Sequence, residues 1–420
     1  MKFLVLLIFL YSQVQILWAC GPGKKELGGL RFSGAVRIDE KVLSNEFELR
    51  IGDCVDSEML ALAVQRIRNT NLFARADMEV NDGSQGLDVF VSIVERWTIL
   101  PIMKFGGGGG VSFYTLGLYN PHVFGKNFEL GAQYENLGGV PSGVLWFRKP
   151  RLFGKRLRIG GDLWYVTRNR LLYDDQRNES GGFTLNRKRL HLFADYEIIE
   201  YVKPYLALDY QMDDTSDSNI SANSKRNNVN SGFDPRSQGS YLITRLGLFL
   251  GRLDIFEELL EGLSLDLQVE PVHDFEGQRT FLRSKLEAQY ATRLSSRSNW
   301  AQRLVAASQS TESLSQLYYL GSISDFRGVL DSQFQTKEFV ALNSEYRIPS
   351  IVRNYVLQHA FFVDAVAFEQ SGKTRHAASI GTGVRLIIPK VYRLNLRLDW
   401  AKSLGFGAGS AVSFGLQQFF

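Results

Sequence analysis

From residue 99 to the C-terminus, apolar and polar residues alternate in one segment after another. One segment has its apolar residues at every second position, namely Tyr392, Leu394, Leu396, Leu398 and Trp400. Successive side chains of a β-strand point to opposite faces, so a period of two predicts strands with one apolar and one polar face. The polar faces carry many full charges, which favours a watery lumen over the outside of a soluble sandwich. The pattern therefore predicts a barrel that spans a membrane.

We predict sixteen strands in residues 99–420, an even number, as bacterial outer-membrane barrels require. They lie near residues 99–109, 111–120, 127–137, 142–149, 156–169, 184–198, 203–213, 239–250, 262–270, 278–292, 299–309, 338–348, 356–368, 376–388, 391–402 and 410–420. Because a bilayer offers no partner to unpaired backbone groups, the strands must close into a ring. The predicted fold class is mainly β: a 16-stranded antiparallel transmembrane β-barrel after one small N-terminal α+β domain.

The connections between the predicted strands alternate in length. One set is mostly short, whereas the other holds long polar loops near 170–183, 214–237 and 310–337. Outer-membrane barrels have short periplasmic turns and long external loops, so we expect these loops outside and the N-terminal domain in the periplasm. The stretch 251–261 is a long connection in the short set, and the pattern gives no reason for it.

The first nineteen residues have the features of an export signal. Lys2 precedes the apolar run Phe3–Leu10, and the segment ends at Ala19. A positive start, a short apolar core and a small final residue are typical of a secretory signal peptide. We therefore assign residues 1–19 to a signal peptide and place the mature protein in the bacterial outer membrane.

The two cysteines allow more than one interpretation. Leu17, Ala19 and Cys20 resemble a lipoprotein processing box, so lipidation of Cys20 stays open beside ordinary cleavage. We expect Cys54 to be a half-buried, unpaired residue rather than a disulfide partner of Cys20. Residues 20–29 are assigned to a linker.

Residues 30–98 have the pattern of a small domain. Its predicted elements are a strand at 30–37, a helix at 38–49, a helix from Asp56 or Ser57 to Asn69, and two strands around Asn81-Asp82-Gly83. The second helix has an apolar stripe at helical spacing, and the last two strands alternate apolar and polar residues. The order strand, helix, helix, strand, strand fits one compact α+β module.

This module resembles a POTRA domain. The motifs that carry the resemblance are Gly52-Asp53, Asn71-Leu72-Phe73 and Val94-Glu95. The resemblance implies a periplasmic domain that offers a strand edge, at Ala74–Val80 or Leu87–Val94, to extended client chains by β-augmentation. A rigid periplasmic spacer is the alternative.

Residues 321–350 carry a second resemblance, to the BamA/TamA superfamily of outer-membrane assembly factors. Its marks are Gly321, Arg327-Gly328, Asn343–Pro349 and, further on, Phe362-Val363-Asp364. Weaker marks are the turns Asn120–Gly125 and Pro150–Gly154 and the terminal Phe420. With the POTRA-like module, the resemblance covers nearly all of the chain after the signal peptide.

The resemblance implies that the sixth external loop folds back into the barrel. Arg327 and Gly328 would then meet Asp364 and Phe362 on the wall, beside Glu345. Elementary electrostatics points the same way, because a partly desolvated guanidinium needs a carboxylate in fork geometry. The alternative is an exposed arginine in a flexible loop.

Three positions depart from the family pattern. Val329 replaces the usual aromatic residue after Arg-Gly, Val366 replaces a glycine, and Gln418 replaces an aromatic near the terminus. We expect the first two to compensate each other, because a smaller loop residue leaves room for a larger wall residue.

Glycines 106 to 110 form a run of five beside the first predicted barrel strand. Glycine weakens a strand, since it has no side chain to pack and loses much entropy on folding. One interpretation is a tight hairpin. The other is a weak seam between the first strand, with Gly106, Gly107, Gly108, Gly109 and Gly110, and the last strand, which ends at Phe420.

The sequence gives little support to enzymes, cofactors or nucleic-acid binding. The five histidines are scattered, and two cysteines cannot fill a cysteine-based zinc site. A net charge of +4 with mixed signs is not typical of nucleic-acid binders. We expect no catalytic, metal or cofactor-binding residues, and a barrel esterase with a wall serine and histidine stays as a minor alternative.

The resemblance implies a protein that inserts or translocates polypeptides without nucleotide hydrolysis. Expected partners are outer-membrane lipid, unfolded or nascent outer-membrane or secreted polypeptides, and accessory periplasmic or lipoprotein subunits. Two alternatives remain: a passive channel or structural outer-membrane protein, and a dedicated secretion pore for one partner protein.

Overall fold

The computed structural model describes residues 20–35, 37–70, 72–95, 99–256, 259–295, 298–322, 325–352, 355–388 and 395–416, with backbone alone at 255–256 and 351–352. The predicted signal peptide and Phe420 lie outside these residues. The chain divides into two compact units. The first holds the N-terminal region to residue 98 together with Pro121–Asn127, and the second holds the remainder.

The N-terminal unit is a four-stranded sheet with two helices. Its elements are β1 Lys25–Ser33, α1 Glu40–Phe47, β2 Cys54–Val55, α2 Ser57–Asn69, β3 Phe73–Gly83 and β4 Gly86–Glu95. The sheet order is β2-β1-β4-β3, with β1 parallel to β4 and β3 antiparallel to it. The predicted order of elements is present, with the short β2 added. Strand β1 begins at Lys25, so residues 25–29 are part of the sheet and not of a linker.

Helix α2 shows how the sequence builds this unit. The Asp56 carboxylate accepts a hydrogen bond from the Met59 backbone N–H at 2.8 Å and caps the helix. The apolar stripe at helical spacing is buried against the sheet, at Leu60, Ala63, Val64 and Ile67. Helix α1 is capped in the same way by Asp39 and begins at Glu40, two residues after its predicted start.

A disulfide joins Cys20 to Cys54, with Cα atoms 5.4 Å apart. The prediction that Cys54 is unpaired is therefore wrong. The pairing of β1 with β2, at Lys25↔Val55 and Glu26↔Cys54, brings the start of the described chain beside Cys54. The bond also leaves Cys20 no thiol for a thioether lipid, which counts against the lipidated alternative.

The second unit is a closed antiparallel barrel of sixteen strands, which confirms the predicted fold class. The strands of this unit are β5 Leu100–Gly108, β6 Val111–Asn120, β7 Glu129–Leu137, β8 Val140–Lys149, β9 Leu157–Tyr173, β10 Glu179–Tyr196, β11 Val202–Ser216, β12 Ser237–Phe256, β13 Leu259–Asp274, β14 Arg279–Ser295, β15 Ser298–Gln309, β16 Tyr318–Leu320, β17 Phe334–Thr336, β18 Glu338–Val352, β19 Tyr355–Gln370, β20 Lys373–Ile387, β21 Asn395–Gly405 and β22 Gly409–Leu416. Neighbours in sequence are neighbours in the ring, and β22 closes on β5. Only the hairpin β16–β17 stands outside it.

Several barrel strands are longer than the sequence pattern predicts. Strand β12 reaches Phe256 and β13 begins at Leu259, so the stretch 251–261 is mostly strand. Gly251 and Gly262 have positive φ angles, of 83° and 126°, but the β12–β13 register continues through both without a shift.

Two of the predicted long loops also contain regular structure. Strands β9 and β10 extend into 170–183 and leave only 174–178 as a connection, while the loop at 214–237 contains the helix α3 Ala222–Ser231. Within the described parts of the chain, no helix is long and apolar enough to cross a membrane.

Candidate functional site

The loop between β15 and β18, residues 310–337, packs against the inner face of the barrel wall. Its hairpin β16–β17 and the turn between these strands contribute Leu320, Phe326, Val329 and Phe334 to a buried apolar cluster. The wall contributes Val305, Phe339, Ala341, Val366, Phe368 and Ala377 to the same cluster. The loop therefore lies inside the barrel, and we call it the inward loop.

The Arg327 side chain, at the turn of the inward loop, is fully buried. Its Nε and Nη2 donate to the two carboxylate oxygens of Asp364 on β19, each at 2.8 Å. The Arg327 backbone N–H also donates to Asp364 Oδ2, at 3.2 Å. This bidentate fork is the geometry that best offsets the desolvation of both charges.

Further charges surround this pair. Arg327 Nη1 donates to Glu345 Oε2 at 2.8 Å and lies 3.7 Å from Asp399 Oδ2. Glu345 in turn accepts from Arg347 Nε at 2.9 Å and from Arg385 Nη2 at 3.1 Å. All five side chains are at most 1% exposed, so the charges compensate one another in a dry environment.

Two further residues shape the contact between loop and wall. The Arg327 guanidinium lies over the Phe362 ring, with 3.4 Å between its carbon and the ring centroid. Gly328 has φ +91°, and a Cβ there would lie 3.1 Å from the Ser403 backbone nitrogen. Ser403 Oγ donates to the Gly328 carbonyl at 3.1 Å. A glycine at this position lets the loop backbone approach β21.

All five wall and loop residues singled out from the sequence thus come together. We call Arg327, Gly328, Glu345, Phe362 and Asp364 the loop lock. Sequence reasoning missed Arg347, Arg385 and Asp399. The alternation of apolar and polar residues places these three side chains on the lumenal face. It does not say which charged residues lie at the same height along the barrel axis, so it could not show that they meet.

The inward loop also contacts the wall on the other side of the lumen. Arg187 Nη2 on β10 donates to the Ser315 carbonyl at 2.7 Å, and Gln316 Nε2 donates to Asp213 Oδ2 on β11 at 2.7 Å. Arg170 Nη1 on β9 donates to Ser332 Oγ at 2.6 Å. The loop therefore crosses the lumen and is held on both walls, which the sequence did not predict.

The five glycines divide between two roles. Gly109 and Gly110, with φ +61° and +85°, form the two-residue turn between β5 and β6, as the hairpin interpretation predicts. Gly106, Gly107 and Gly108 pair with Gly415, Phe414 and Ser413 of β22. We call this β5–β22 junction the seam; the predicted seam residue Phe420 lies outside the described residues.

The seam is the shortest strand pairing among the described residues of the barrel. It comprises three residue pairs, from Gly106↔Gly415 to Gly108↔Ser413. The pairing of β9 with β10, by contrast, runs from Leu157↔Tyr196 to Tyr173↔Glu179. The described pairs of the seam involve three glycines, which have no side chains to pack, so the seam is a weak junction of the described ring.

Strand β3 forms a free edge of the N-terminal sheet. In the described part of the chain it pairs with β4 alone, whereas β4 lies between β3 and β1. Of the two predicted edge segments, Ala74–Val80 therefore lies on an edge and Leu87–Val94 does not.

No group of three or more His, Cys, Asp or Glu side chains in the described ranges is arranged to hold a metal ion.

Comparisons with known proteins agree with this architecture. The family model described as the Omp85 superfamily domain matches residues 123–420, and the POTRA model, described as a surface antigen variable number repeat, matches residues 26–96. No curated protein matched the sequence.

Solved structures of three similar chains share the fold. BamA from Haemophilus ducreyi lacking POTRA domains 1-3 matches with a TM-score of 0.66 and 17% identity, covering 93% of this chain and 84% of that one. CdiB from Acinetobacter baumannii matches with 0.66 and 12%, covering 93% and 74%. CdiB from Escherichia coli matches with 0.65 and 11%, covering 93% and 76%.

Proposed function

We propose, on the premise that this chain belongs to the Omp85 superfamily and is an outer-membrane β-barrel, that it inserts polypeptides into the outer membrane or translocates them across it. The observation that carries this proposal is the seam. The glycines that β5 contributes to the described pairs have no side chains to pack, so little packing is lost when the ring parts there. Its parted edges would offer unpaired backbone groups to an incoming strand.

A client strand would replace the lost pairing by β-augmentation at β5 or β22. The energy comes from the client's own folding, because each new strand satisfies backbone groups that lipid cannot. No nucleotide is needed for this step.

The N-terminal sheet would supply the first contact. We place this domain in the periplasm, where the free edge of β3 binds an extended client chain before it reaches the seam. Outer-membrane lipid surrounds the barrel, and accessory periplasmic or lipoprotein subunits would bind beside the same domain.

The inward loop makes the passive channel a weaker candidate. It contacts Arg187 and Asp213 on one wall and Asp364 on the other, so it occupies the lumen that a channel would leave open. Low ion conductance in planar bilayers is the expected result. A large, steady conductance would favour the channel.

A disulfide across the seam tests the proposal. An ideal Cβ at Gly108 lies 2.8 Å from the Ser413 Cβ and meets no backbone atom closer than 3.5 Å, so Gly108→Cys with Ser413→Cys needs only a small adjustment. Both changes are made with Cys20→Ser and Cys54→Ser. The readout is insertion into vesicles of an unfolded eight-stranded outer-membrane barrel protein, followed by its gel mobility.

The matched control is Ala291→Cys with Ala301→Cys, which links β14 to β15 at a paired position away from the seam. We expect the seam disulfide to block insertion, reduction to restore it, and the control disulfide to leave it unchanged. Full insertion with the seam disulfide formed contradicts lateral opening.

A dedicated secretion pore is the second candidate, since the two CdiB structures match this fold as well as BamA does. Photo-crosslinkers at Ala74–Val80 in cells distinguish the two. Capture of several different barrel proteins supports assembly, whereas capture of one secreted protein supports the dedicated pore.

A further inference from the structure

The outer face of strands β6–β9 has a groove of about 830 Å³, on the side opposite to the lumen. Large apolar side chains surround it, including Leu118, Leu145 and Leu163, which are 55–58% exposed. Its floor is low because small residues, Ala132 and Gly143, stand where the neighbouring strands carry large ones. Neither the proposed seam nor the inward loop uses this face.

The strand register arranges the groove in two rows. Directly paired residues of antiparallel strands present their side chains on one face. One row follows the pairs Leu116↔Tyr134, Tyr134↔Gly143, Gly143↔Tyr165 and Tyr165↔Lys188. The other follows Leu118↔Ala132, Ala132↔Leu145 and Leu145↔Leu163. The first row ends in polar groups, and the second is wholly apolar.

The chain path orients the two rows. We call the end of the barrel at which β5 begins the entry end, so β9 runs away from the entry end and β10 returns to it. Tyr165 therefore lies farther from the entry end than Leu163, and Lys188 lies farther from it than Leu190. With the N-terminal domain in the periplasm, as proposed above, the polar row faces the outer leaflet.

Lys188 is the one charged residue that lines the groove, and its side chain is exposed. It pairs across the strands with Tyr165 on one side and Met212 on the other. Among the described residues, no carboxylate forms an ion pair with it. A lysine on a bilayer-facing surface extends its charge toward the headgroups and is stabilised by an anion there.

We propose that this groove binds a phosphorylated lipid of the outer leaflet. The acyl chains lie along the apolar row on Leu118, Leu145 and Leu163, and a headgroup phosphate binds Lys188 and the Tyr165 hydroxyl. The occupant is a lipid because the groove faces the bilayer, and it is anionic because the cation stands on the headgroup side of the apolar row.

Native mass spectrometry of the detergent-solubilised full chain tests the proposal, with bis-phosphorylated lipid A and phosphatidylcholine as probes. We expect one lipid A molecule to remain bound, and Lys188→Gln to weaken retention about tenfold, as the loss of a charge-assisted hydrogen bond implies. Inorganic phosphate alone should not compete. Client insertion is not part of the readout, so this proposal can fail independently of the proposed function.

Two variants complete the design. Gly143→Leu fills the floor, and its Cβ would meet only the Gln133 carbonyl oxygen, at 3.5 Å, so the strand tolerates it. We expect this variant to lose lipid A although Lys188 is intact. Lys402→Gln is the control, because Lys402 pairs with the outward-facing Ile380 on a different part of the wall.

Three outcomes overturn the proposal. Equal retention by Lys188→Gln and Lys402→Gln removes the role of the cation. Equal retention of phosphatidylcholine and lipid A shows a groove that takes any acyl chain. Full displacement by inorganic phosphate shows an anion site without a lipid.

Discussion

The loop lock and the seam lie close together in the ring and are built in opposite ways. At the lock, Arg327 is fully buried and bonds to two carboxylates on β18 and β19. At the seam, three glycines of β5 pair with Ser413, Phe414 and Gly415 of β22. One region concentrates interactions that are costly to break, and the other omits them.

The difference shows that the barrel is not uniformly stable. A protein opens most easily where packed side chains and backbone hydrogen bonds are fewest. The lock fastens the inward loop to β18 and β19, so under the proposed function we expect opening at the seam and not at these strands. A ring with equal junctions would have no preferred site for an incoming strand.

The largest expected effect comes from breaking the lock. Arg327→Ala leaves Asp364 buried without its cation and removes one of the three cations around Glu345, which should lower the free energy of unfolding by about 3–5 kcal/mol. Urea unfolding, followed by the heat-dependent gel mobility of the barrel, measures it. Arg279→Ala is the control, because that side chain is 59% exposed and its ion pair with Asp274 is worth at most about 1 kcal/mol. Similar losses of unfolding free energy in both variants would show that the lock stabilises the barrel no more than an exposed ion pair does.

A double-mutant cycle tests the apolar packing between the inward loop and the wall beside the lock. Val329 and Val366 belong to the same buried cluster, 0% and 4% exposed. Val329→Tyr alone should overpack this cluster and cost about 2 kcal/mol, and added Val366→Gly should restore most of it. The control combines Val329→Tyr with Val272→Gly from a separate cluster, where the effects should add. Additive effects of Val329→Tyr and Val366→Gly would refute the compensation.

Alanine substitutions on the two strands of the seam should change the stability of the barrel in opposite directions. A Cβ at Gly106 would lie 2.7 Å from the Phe414 carbonyl oxygen, so Gly106→Ala should destabilise the barrel by about 1 kcal/mol. At Gly415 the nearest atom is 3.4 Å away, so Gly415→Ala should stabilise it by about 0.5 kcal/mol through the unfolded chain. Urea midpoints of both variants test this. Shifts of the same sign would show that backbone spacing does not limit the seam.

The smallest expected effect concerns the hairpin connection at 174–178. Arg177 Nη1 donates to the Ala408 carbonyl at 2.9 Å, immediately before β22. Arg177→Ala should cost about 0.5–1 kcal/mol and raise the rate of disulfide formation between cysteines at 108 and 413. Asn178→Ala, on the same connection, should leave that rate unchanged. An unchanged rate of disulfide formation in Arg177→Ala would show that the connection at 174–178 does not stabilise the seam.

The sequence predicted the barrel well because the signal is repeated many times. Every strand that faces lipid outside and water inside shows the same alternation, so an error in one strand changes neither the class nor the number of strands. The exceptions have local causes. At 251–261, the apolar series Leu246, Leu248 and Leu250 continues with the charged Arg252 and Asp254, so the pattern mistakes two strand ends for a turn.

The site was only partly predictable. The pairing of Arg327 with Asp364 followed from a family resemblance and from the cost of burying a lone charge. Arg385 and Asp399 were missed because their meeting depends on the β20–β21 register, in which Gly383, two residues from Arg385, pairs with Asp399. The Cys20–Cys54 disulfide was missed because β2 has only two residues, too few to show a period.

The inward loop, which the lock fastens to the wall, also contacts the hairpin that begins at the seam. The Asp331 backbone N–H of the inward loop donates to the Gly109 carbonyl at 2.9 Å, and Gly109 directly follows the paired Gly108. Loop position and seam closure are therefore thermodynamically linked, and linkage is reciprocal. The free energy by which the seated loop stabilises the closed seam equals the free energy by which the closed seam stabilises the seated loop. If a client strand parts the seam, as we propose, it loosens the loop by the same free energy.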